Sequence, residues 1–389
     1  MLILSNAEVA QVLSMELCMQ SLEEAFLEYA KGEAVAIPRI DTSIPTSFDK
    51  IAERMGVPEQ DLYRRMPPGE APPEAMEGTP IYRFKVQVGA VPAQGAMALR
   101  LNSDIISFPN VEGAARQYKL PLVGGYHYCG LVFLFSAVSG EPLALFPDGE
   151  LGRMRVGGTT GLGIKYLARK DAGVVALLGA GWQAGAQLMA AVSARQVSQV
   201  RVYSPTASRR ENFARQMTEK LRVPIKPVAS AREAVEGADI VLSATNSLAP
   251  VLDGKWLAPG AHMSAIATPE PDQATYQRAG LIVLTTRCHM EIGDRVDYVL
   301  PSLNGKIALK KDHGQVKERL PRLEEIPELP EIIAGLRPGR KSDQEITLHI
   351  NNTFALQFAA VGARVVGQAR RMGLGREVPT DWFLQDVHT

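Results

Sequence analysis

The sequence predicts an α/β protein of two domains, one with a doubly wound parallel sheet and one of α+β type. Its 389 residues are enough for two cores at roughly 100–200 residues per domain. Between residues 82 and 146, short β-branched and aromatic runs are separated by Gly, Pro and Asn, as in an antiparallel sheet. Beyond residue 155, strand-like runs alternate with helical segments, which is typical of a parallel sheet with crossover helices. We therefore place a domain boundary near residue 154.

The first domain is predicted to comprise residues 1–154. Apolar residues recur at helical spacing over residues 5–29, and residues 38–44 alternate apolar and polar side chains as a half-buried strand does. Residues 47–79 are polar, charged and rich in Pro, so we expect an insertion that wraps the surface. Further strands are predicted at residues 84–91, 97–106 and 131–138.

Residues 155–343 are predicted to form the parallel-sheet domain. Its predicted strands are residues 174–178, 199–203, 227–228, 240–243, 262–266 and 281–284. Its predicted helices are residues 159–170, 182–194, 208–220 and 231–236. A last helix is predicted over residues 347–371 with no strand after it, so we expect residues 344–389 to return to the first domain.

Composition and charge narrow the class of protein. Lys plus Arg and Asp plus Glu both number 42, which leaves no basic excess for a nucleic acid or an anionic membrane surface. No apolar stretch approaches the ~20 residues that span a bilayer, and a signal peptide is not expected. Cys18, Cys129 and Cys288 are few and far apart, as in reduced intracellular proteins. We expect a cytoplasmic protein that binds neither nucleic acid nor membrane.

A dinucleotide-binding fingerprint follows the predicted strand at residues 174–178. The sequence GAGWQA at residues 179–184 leads from this strand into a helix. The first Gly permits the tight turn, the second lets the backbone approach a pyrophosphate, and the last Ala allows close packing of helix on strand. A Rossmann-type domain is therefore predicted. Its expected cofactor residues in this turn are Gly179, Gly181, Trp182, Gln183 and Ala184.

The second strand of this domain ends in Ser204 instead of the Asp or Glu that accepts hydrogen bonds from the ribose hydroxyls of NAD. Hydroxyl groups and two guanidinium groups follow, with no carboxylate to repel a phosphate. The residues expected to contact a 2′-phosphate are Ser204, Thr206, Arg209 and Arg210. NADP is therefore favoured over NAD. The alternative is that the two arginines only solvate the start of a helix.

The carboxyl end of the predicted strand at residues 240–243 carries Thr245 and Asn246. In open α/β sheets, ligands bind at the carboxyl ends of strands where the strand order reverses. Either side chain is therefore expected to line the nicotinamide. The histidines are scattered without the close Cys/His pairing of a zinc site, so no metal is expected.

Three stretches of the sequence resemble the ornithine cyclodeaminase/mu-crystallin family. The first is residues 153–158 with residues 165–169, which is similar to the family's Arg-Thr-Ala-Ala helix start, and the second is residues 179–184. The third and most specific comprises residues 328–335, 338–340 and 345–348. Weaker similarity covers most of the chain except residues 47–79.

The resemblance implies a homodimer whose N-terminal and C-terminal segments form a substrate and dimerisation domain around a Rossmann domain. It also implies hydride transfer between nicotinamide and an amine or imine carbon of a small molecule such as an amino acid. We expect an NADPH-linked imine or ketimine reductase, which in reverse is an amine or amino-acid dehydrogenase. The alternatives are a redox-neutral ornithine-type cyclodeaminase with bound NAD, and a noncatalytic NADPH-binding protein like the crystallins of the family.

Three arginines are the candidate substrate-binding residues, because this chemistry needs cations for a carboxylate. Arg39 and Arg155 match two carboxylate-binding arginines of the family. Arg100 falls near the family's catalytic Lys. A guanidinium stays protonated, so Arg100 would bind substrate but hardly act as a base.

Two further residues are candidates for proton transfer beside the reacting nitrogen. Where cyclodeaminases carry an Asp, this sequence has Pro269, which counts against ornithine cyclisation. Glu270, one position on, is a candidate for the lost acid; the alternative is a solvated loop carboxylate. His127 is a candidate because an imidazole titrates near neutral pH, although a strand His is more often structural.

Overall fold

A computed structural model describes residues 1–65, 76–111, 113–122, 127–287 and 325–387 of the chain. The Pro-rich residues 67–73 of the predicted insertion and Cys288 lie outside the described residues. Within the described ranges the chain folds into one mostly antiparallel sheet and one parallel sheet, each with its helices. No helix among these residues combines the length and the apolar composition needed to cross a bilayer.

The strands in chain order are β1 (Leu2–Ile3), β2 (Val35–Ala36), β3 (Ile40–Pro45), β4 (Ile81–Val91), β5 (Ala96–Ser107), β6 (Asn110–Val111), β7 (Ala114–Ala115), β8 (Tyr118–Leu120), β9 (Cys129–Ser136), β10 (Pro142–Pro147), β11 (Val174–Leu178), β12 (Gln199–Tyr203), β13 (Ile225–Pro227), β14 (Ile240–Ser243), β15 (His262–Ala265), β16 (Leu281–Leu284), β17 (Thr347–Ile350) and β18 (Arg376–Glu377). The α-helices are α1 (Asn6–Val12), α2 (Met15–Ala30), α3 (Phe48–Met55), α4 (Asp148–Leu167), α5 (Trp182–Ala194), α6 (Ala207–Leu221), α7 (Ala231–Val235), α8 (Gln273–Arg278), α9 (Leu329–Ile333) and α10 (Leu356–Met372). Short 3-10 helices lie at Glu59–Arg65, Pro92–Gln94, Gly254–Trp256 and Thr380–Phe383.

The first domain is organised on a nine-stranded sheet of order β18-β1-β10-β9-β5-β4-β2, with β3 paired to β4 and β8 to β5. All of these pairings are antiparallel except that between β1 and β10. The C-terminal helix α10 packs on β4 and β5 and against α2. The main apolar core lies between one face of this sheet and the helices α2, α4 and α10, and it continues through α5 to one face of the parallel sheet.

The second domain is a seven-stranded parallel sheet of order β13-β12-β11-β14-β15-β17-β16. The strand order reverses between β11 and β14, so the predicted α/β class with a doubly wound sheet is confirmed. The predicted helix over residues 347–371 is wrong at its start, because Thr347–Ile350 is the strand β17 and the helix begins at Leu356. β17 has only four residues, and all four are buried, including the polar Thr347 and His349, so the segment is too short to be distinguished from the start of the following helix by its pattern. The chain thus leaves the parallel sheet after residue 350, not after residue 343.

The predicted insertion is only partly an irregular surface segment. It contains helix α3 and a 3-10 helix, whose apolar side chains form a small separate core with two residues of β8. This core comprises Phe48, Ile51, Ala52, Leu62, Tyr118 and Leu120. The first half of the insertion is therefore anchored on the edge of the antiparallel sheet.

Helix α4 connects the two domains. It packs against α2 on one side and α5 on the other. A Cβ added at Gly157 would lie 2.6 Å from the Ala186 carbonyl oxygen, so this close approach to α5 requires Gly. The predicted helix at residues 159–170 began too late: α4 starts at Asp148 and therefore carries Arg153 and Arg155.

Candidate active site

The turn after β11 has the geometry of a phosphate-binding loop. Gly179 has φ +109°, and a Cβ there would lie 2.3 Å from the Ala244 carbonyl oxygen. Gly181 is the N-cap of α5 and has open space around its Cα. Because Gly has no side chain, it does not cap the first backbone amides of the helix. The amide groups at this helix end are thus oriented to bind an anion, as the fingerprint requires.

The first residues of α5 differ in exposure. Ala184 is fully buried against the sheet, whereas Trp182 is 51% exposed. The Arg153 guanidinium carbon lies 5.3 Å from the centroid of the Trp182 ring, close enough for a cation–π contact. Gln183 has a buried Oε1 with no hydrogen-bond partner in the described part of the chain. Arg153 and Trp182 therefore form one wall of the phosphate-binding loop.

The loop after β12 lies where the adenosine ribose of a Rossmann cofactor would bind. Ser204 is buried, and Thr206 is the exposed N-cap of α6 with no capping bond from its side chain. Arg210 Nη1 donates to the carbonyl oxygens of Ser204 and Pro205, at 3.0 and 3.2 Å. Arg210 therefore shapes this loop, and Arg209, half-buried beside it, is the second cation at this position.

Thr245 and Asn246 follow β14, next to the switch point. A Cβ at Gly179 would lie 3.4 Å from Thr245 Cγ2, so the fold brings these two predicted cofactor residues together. Asn246 is exposed, and its carbonyl oxygen accepts from Gln117 N at 3.1 Å. Because Gln117 belongs to the first domain, the segment before β8 meets the second domain at this edge.

Glu270 is fully buried beneath the same edge. Its Oε1 accepts from Thr245 N and Oγ1 at 2.7 and 2.8 Å, and its Oε2 accepts from Ser243 Oγ at 2.9 Å and Ala267 N at 3.0 Å. Burial raises the pKa of Glu270 although these hydrogen bonds oppose the shift. With both oxygens occupied, the carboxyl group fixes the loop of Thr245 and is not presented to a substrate.

One face of the β4–β5 ribbon is polar and buried. In the register of the two strands, Arg83 is opposite Asp104, Lys85 opposite Asn102, and Gln87 opposite Arg100. Each of these six side chains is at most 9% exposed. We call this set, Arg83, Lys85, Gln87, Arg100, Asn102 and Asp104, the polar face. Buried polar side chains need hydrogen-bond or ion-pair partners. The partners of the polar face therefore define the candidate site.

Arg100 and Arg155 meet over one aromatic ring. The guanidinium carbons of Arg100 and Arg155 lie 5.2 and 4.9 Å from the Phe358 ring centroid. Arg100 donates to Asp148 Oδ2 from Nε at 2.9 Å and from Nη2 at 2.5 Å, and to Gln87 Oε1 at 2.9 Å. The hydrogen bonds of Arg100 are thus made to Asp148 and Gln87 within the protein.

Arg155 is buried, and none of the described carboxylates pairs with it. Its Nη1 donates to Gln357 Oε1 at 2.9 Å, and its Nε has no hydrogen-bond partner among the described residues. Burial and then the nearby Arg100 charge lower the pKa of Arg155 to about 9. A bound carboxylate would satisfy this guanidinium.

Arg39 is the third predicted substrate-binding residue. It is half-buried and forms a bidentate ion pair with Asp41, from Nε at 2.7 Å and Nη2 at 3.0 Å. Its positive charge acts on Arg83, Lys85 and Arg155. Arg39 therefore lies beside the polar face and adds to its positive potential.

Lys85 is a candidate site residue that the sequence analysis missed. Its Nζ lies 3.0 Å from Asp104 Oδ2, which Lys119 Nζ also contacts at 3.1 Å. Burial, followed by the Lys119 charge, lowers the pKa of Lys85 to about 7. The sequence did contain an indication, because positions 83, 85 and 87 are polar in an otherwise apolar strand. Such alternating polar residues are usually predicted to face solvent.

His127 is exposed and precedes β9. Its carbonyl oxygen accepts from Leu122 N at 2.8 Å. In the described part of the chain, no contact of its side chain joins it to the polar face or to the phosphate-binding loop. His127 is therefore not brought into the candidate site, which is built from the polar face, Arg155 and the carboxyl edge of the parallel sheet.

The fold and site define a two-domain protein with a Rossmann-type nucleotide-binding turn in one domain and a buried cationic cluster in the other, joined by helix α4. Comparison with known proteins gives the family: residues 124–371 match the model of the ornithine cyclodeaminase/mu-crystallin family. The chain belongs to this family, as the sequence predicted.

Individual relatives agree with this assignment. A Delta(1)-pyrroline-2-carboxylate reductase of Bacillus cereus is 28% identical over 254 residues, which cover 64% of this chain and 74% of the relative. Ketimine reductase mu-crystallin of Rattus norvegicus is 28% identical over 193 residues, or 50% of this chain and 58% of the relative. Among solved structures, Thermococcus litoralis Delta(1)-pyrroline-2-carboxylate reductase in complex with NADH and L-proline matches with a TM-score of 0.71 and 26% identity. That match covers 97% of this chain and 100% of that one.

Proposed function

We propose that the protein is an NADPH-dependent imine or ketimine reductase that in reverse oxidises an amine or amino acid. The observation that supports this proposal is that Arg155 and Arg100 share the Phe358 ring, next to the strand pair of Lys85, and that none of the described carboxylates pairs with Arg155. A carboxylate-bearing imine satisfies Arg155 and uses Lys85. The reductase relatives named above support the same chemistry.

The phosphate-binding loop supports a bound dinucleotide. Gly179 permits the tight turn beside Ala244, and Gly181 leaves room for the pyrophosphate at the N-terminus of α5. Thr245 and Asn246 follow β14, where the nicotinamide would end. Ser204, Thr206 and Arg209 offer hydroxyl and guanidinium groups to a 2′-phosphate, so we propose NADP rather than NAD. The bound cofactor would supply or accept a hydride at the substrate carbon.

We assign proton donation to Lys85. Reduction of an imine adds a hydride to carbon and a proton to nitrogen, so a group with a pKa near the working pH is required. Arg100 is paired with Asp148 and Gln87, and Arg155 is assigned to the carboxylate. Glu270 is occupied by loop groups, and Asp104 pairs with two ammonium groups. A Lys85 ammonium would pass its proton to the nitrogen and recover it from water. Arg155 would hold the carboxylate during this step.

The test is turnover with purified protein. NADPH and NADH oxidation should be followed with cyclic imines and with 2-oxo acids plus ammonia or methylamine, alongside fluorescence titration of each cofactor. We expect tight NADPH binding and NADPH consumption with a carboxylate-bearing imine. Ornithine consumed with no net cofactor change would replace this proposal by cyclodeaminase activity. NADPH binding with no turnover of any imine would favour a noncatalytic binder.

We further propose that the chain forms a homodimer through the outer face of the antiparallel sheet. The side chains that alternate with the polar face are apolar and half-exposed, and they align in register across four strands. They include Val86, Val88, Leu99, Leu101, Leu131, Phe133 and Leu145. Phe133 and Phe135 stack with ring centroids 6.3 Å apart. A continuous apolar sheet face of this kind is typical of a subunit interface.

We place the protein in the cytoplasm. Cys18 and Cys129 are free thiols, and burial raises the pKa of Cys18. Unpaired buried thiols are typical of a reducing compartment. Subcellular fractionation of the producing cell checks this placement.

A further inference from the structure

The polar face contains a second guanidinium, that of Arg83, with hydrogen-bond donors that no described residue uses. Arg83 is only 5% exposed, and none of the described residues accepts a hydrogen bond from its Nε or Nη2. Its guanidinium carbon lies 5.6 Å from the centroid of the Phe108 ring. A buried cation left in this state costs stability unless something absent from the chain pairs with it.

A second unpartnered donor lies directly beside it. Ser43 on β3 is opposite Arg83 in the register of β3 and β4, and it is 1% exposed. Its hydroxyl has no hydrogen-bond partner in the described part of the chain. Two neighbouring strands therefore present two unused donors at one point of the same face.

The nearby carboxylates are already engaged. Asp104 contacts the Nζ atoms of Lys85 and Lys119, and Asp41 is held bidentately by Arg39. The local charge is therefore positive, and neither acid satisfies Arg83. A hydroxyl and a guanidinium in a cationic, buried position are the donors that recognise a carboxylate.

We propose that Ser43 and Arg83 form a second anion subsite, which binds a second carboxylate of the substrate. This inference rests on the proposed function and deepens it. The substrate class is then an imine or amino acid with two acidic groups, one at Arg155 and one at Arg83. Same-face residues of a strand are roughly 7 Å apart, so Lys85 lies one step from Arg83 along β4, between the two subsites.

A pair of matched substrates isolates the second carboxylate. 2-Oxoglutarate and 2-oxopentanoate differ only in a terminal carboxylate or methyl group, and each forms an imine with ammonia or methylamine. We expect the wild type to prefer the diacid. Arg83→Met should lower kcat/KM for the diacid by about 10- to 100-fold, the effect of one charged hydrogen-bonding group. The same change should leave the monoacid within about threefold. Ser43→Ala should give a smaller loss with the same selectivity.

The control variant is Arg201→Met. Arg201 is an arginine of the second domain that donates to the carbonyl oxygens of Glu233 and Glu236, and its loss should change neither substrate. Removal of the unpaired Arg83 charge should leave the thermal unfolding temperature unchanged or raise it. Ser43→Ala carries the test if Arg83→Met does not fold. Equal losses for diacid and monoacid would overturn the second subsite.

A ligand-binding measurement tests the second subsite independently of the proposed reductase activity. Calorimetric titration of the NADPH-loaded protein with glutarate and with pentanoate needs no turnover. Tighter glutarate binding that disappears in Arg83→Met supports the subsite even if no imine is reduced. Reduction of monoacid imines without any preference for the diacid or for glutarate refutes the subsite and leaves the reductase proposal standing.

Discussion

The pH dependence of imine reduction tests whether Lys85 donates the proton, because two neighbouring residues shift the pKa of Lys85 in opposite directions. The ammonium form donates the proton, so kcat/KM for reduction should be constant below pH about 7 and fall above it. Asp104 stabilises the ammonium, whereas Lys119 destabilises it. Asp104→Asn should therefore move the fall in rate to lower pH, and Lys119→Met should move it to higher pH.

The size of each shift follows from the geometry. Lys85 Nζ and Asp104 Oδ2 are 3.0 Å apart, which at the dielectric constant of water corresponds to about 1.4 kcal/mol, or about one pKa unit. Screening is weaker at this buried position, so one unit is the smallest shift expected. Both Nζ atoms contact Asp104 Oδ2, at 3.0 and 3.1 Å, so they are at most about 6 Å apart and their repulsion amounts to about half a unit.

The assay is kcat/KM against pH for one imine substrate in wild type and variants, so that titration of the substrate cancels in the comparison. Lys85→Arg keeps the charge but cannot release a proton, and it should lower the rate about 10²- to 10⁴-fold and remove the dependence near pH 7. Lys85→Met should lose as much. A profile that keeps its fall near pH 7 in Lys85→Arg, or shifts of the same sign in Asp104→Asn and Lys119→Met, would refute the assignment.

Four further substitutions test the remaining parts of the site. Gly179→Ala places a Cβ at positive φ and 2.3 Å from the Ala244 carbonyl oxygen, so fluorescence titration should show at least about tenfold weaker binding of both NADPH and NADH. Arg209→Ser should raise Kd for NADPH by about 10- to 100-fold and leave NADH nearly unchanged; equal changes would argue against a 2′-phosphate contact. Arg155→Met should raise KM for carboxylate substrates by about 10- to 100-fold in steady-state assays, but not for amines without a carboxylate. Phe133→Asp should convert the dimer to a monomer in light scattering, and an intact dimer would exclude the outer sheet face as the interface.

The nucleotide half of the site could be predicted because its determinants are local. The strand β11, the Gly179 turn and helix α5 are consecutive in sequence, and each requirement of the turn selects a residue type. Ser204 and Thr245 follow from the ends of the next strands. One element of this domain could not be predicted locally, since the four residues of β17 are too few for their pattern to distinguish a strand from the start of a helix.

The substrate half could not be predicted in the same way, because its polar and apolar side chains point in the directions opposite to those expected for an alternating strand. An alternating strand normally turns its apolar side chains to the core. In β4 the polar side chains Arg83, Lys85 and Gln87 face inward, and the apolar ones, such as Val86, face outward. The rule that polar side chains of an alternating strand face solvent therefore predicts an exposed Lys85.

The Arg at position 100 is accounted for by the same strand pair. Arg100 holds Asp148, the first residue of α4, through two hydrogen bonds, and Arg155 lies seven residues later on the same face of that helix. Arg100 thus fixes the helix that carries Arg155, and its guanidinium packs on the same Phe358 ring. A Lys at position 100 has a single side-chain nitrogen and could not donate to Asp148 and Gln87 from separate nitrogens as Arg100 does. The residue that titrates instead lies on β4, one pair along the ribbon, where burial and Lys119 tune Lys85. The departure from the family's Lys is therefore compatible with proton transfer, because binding and titration are divided between two adjacent strands.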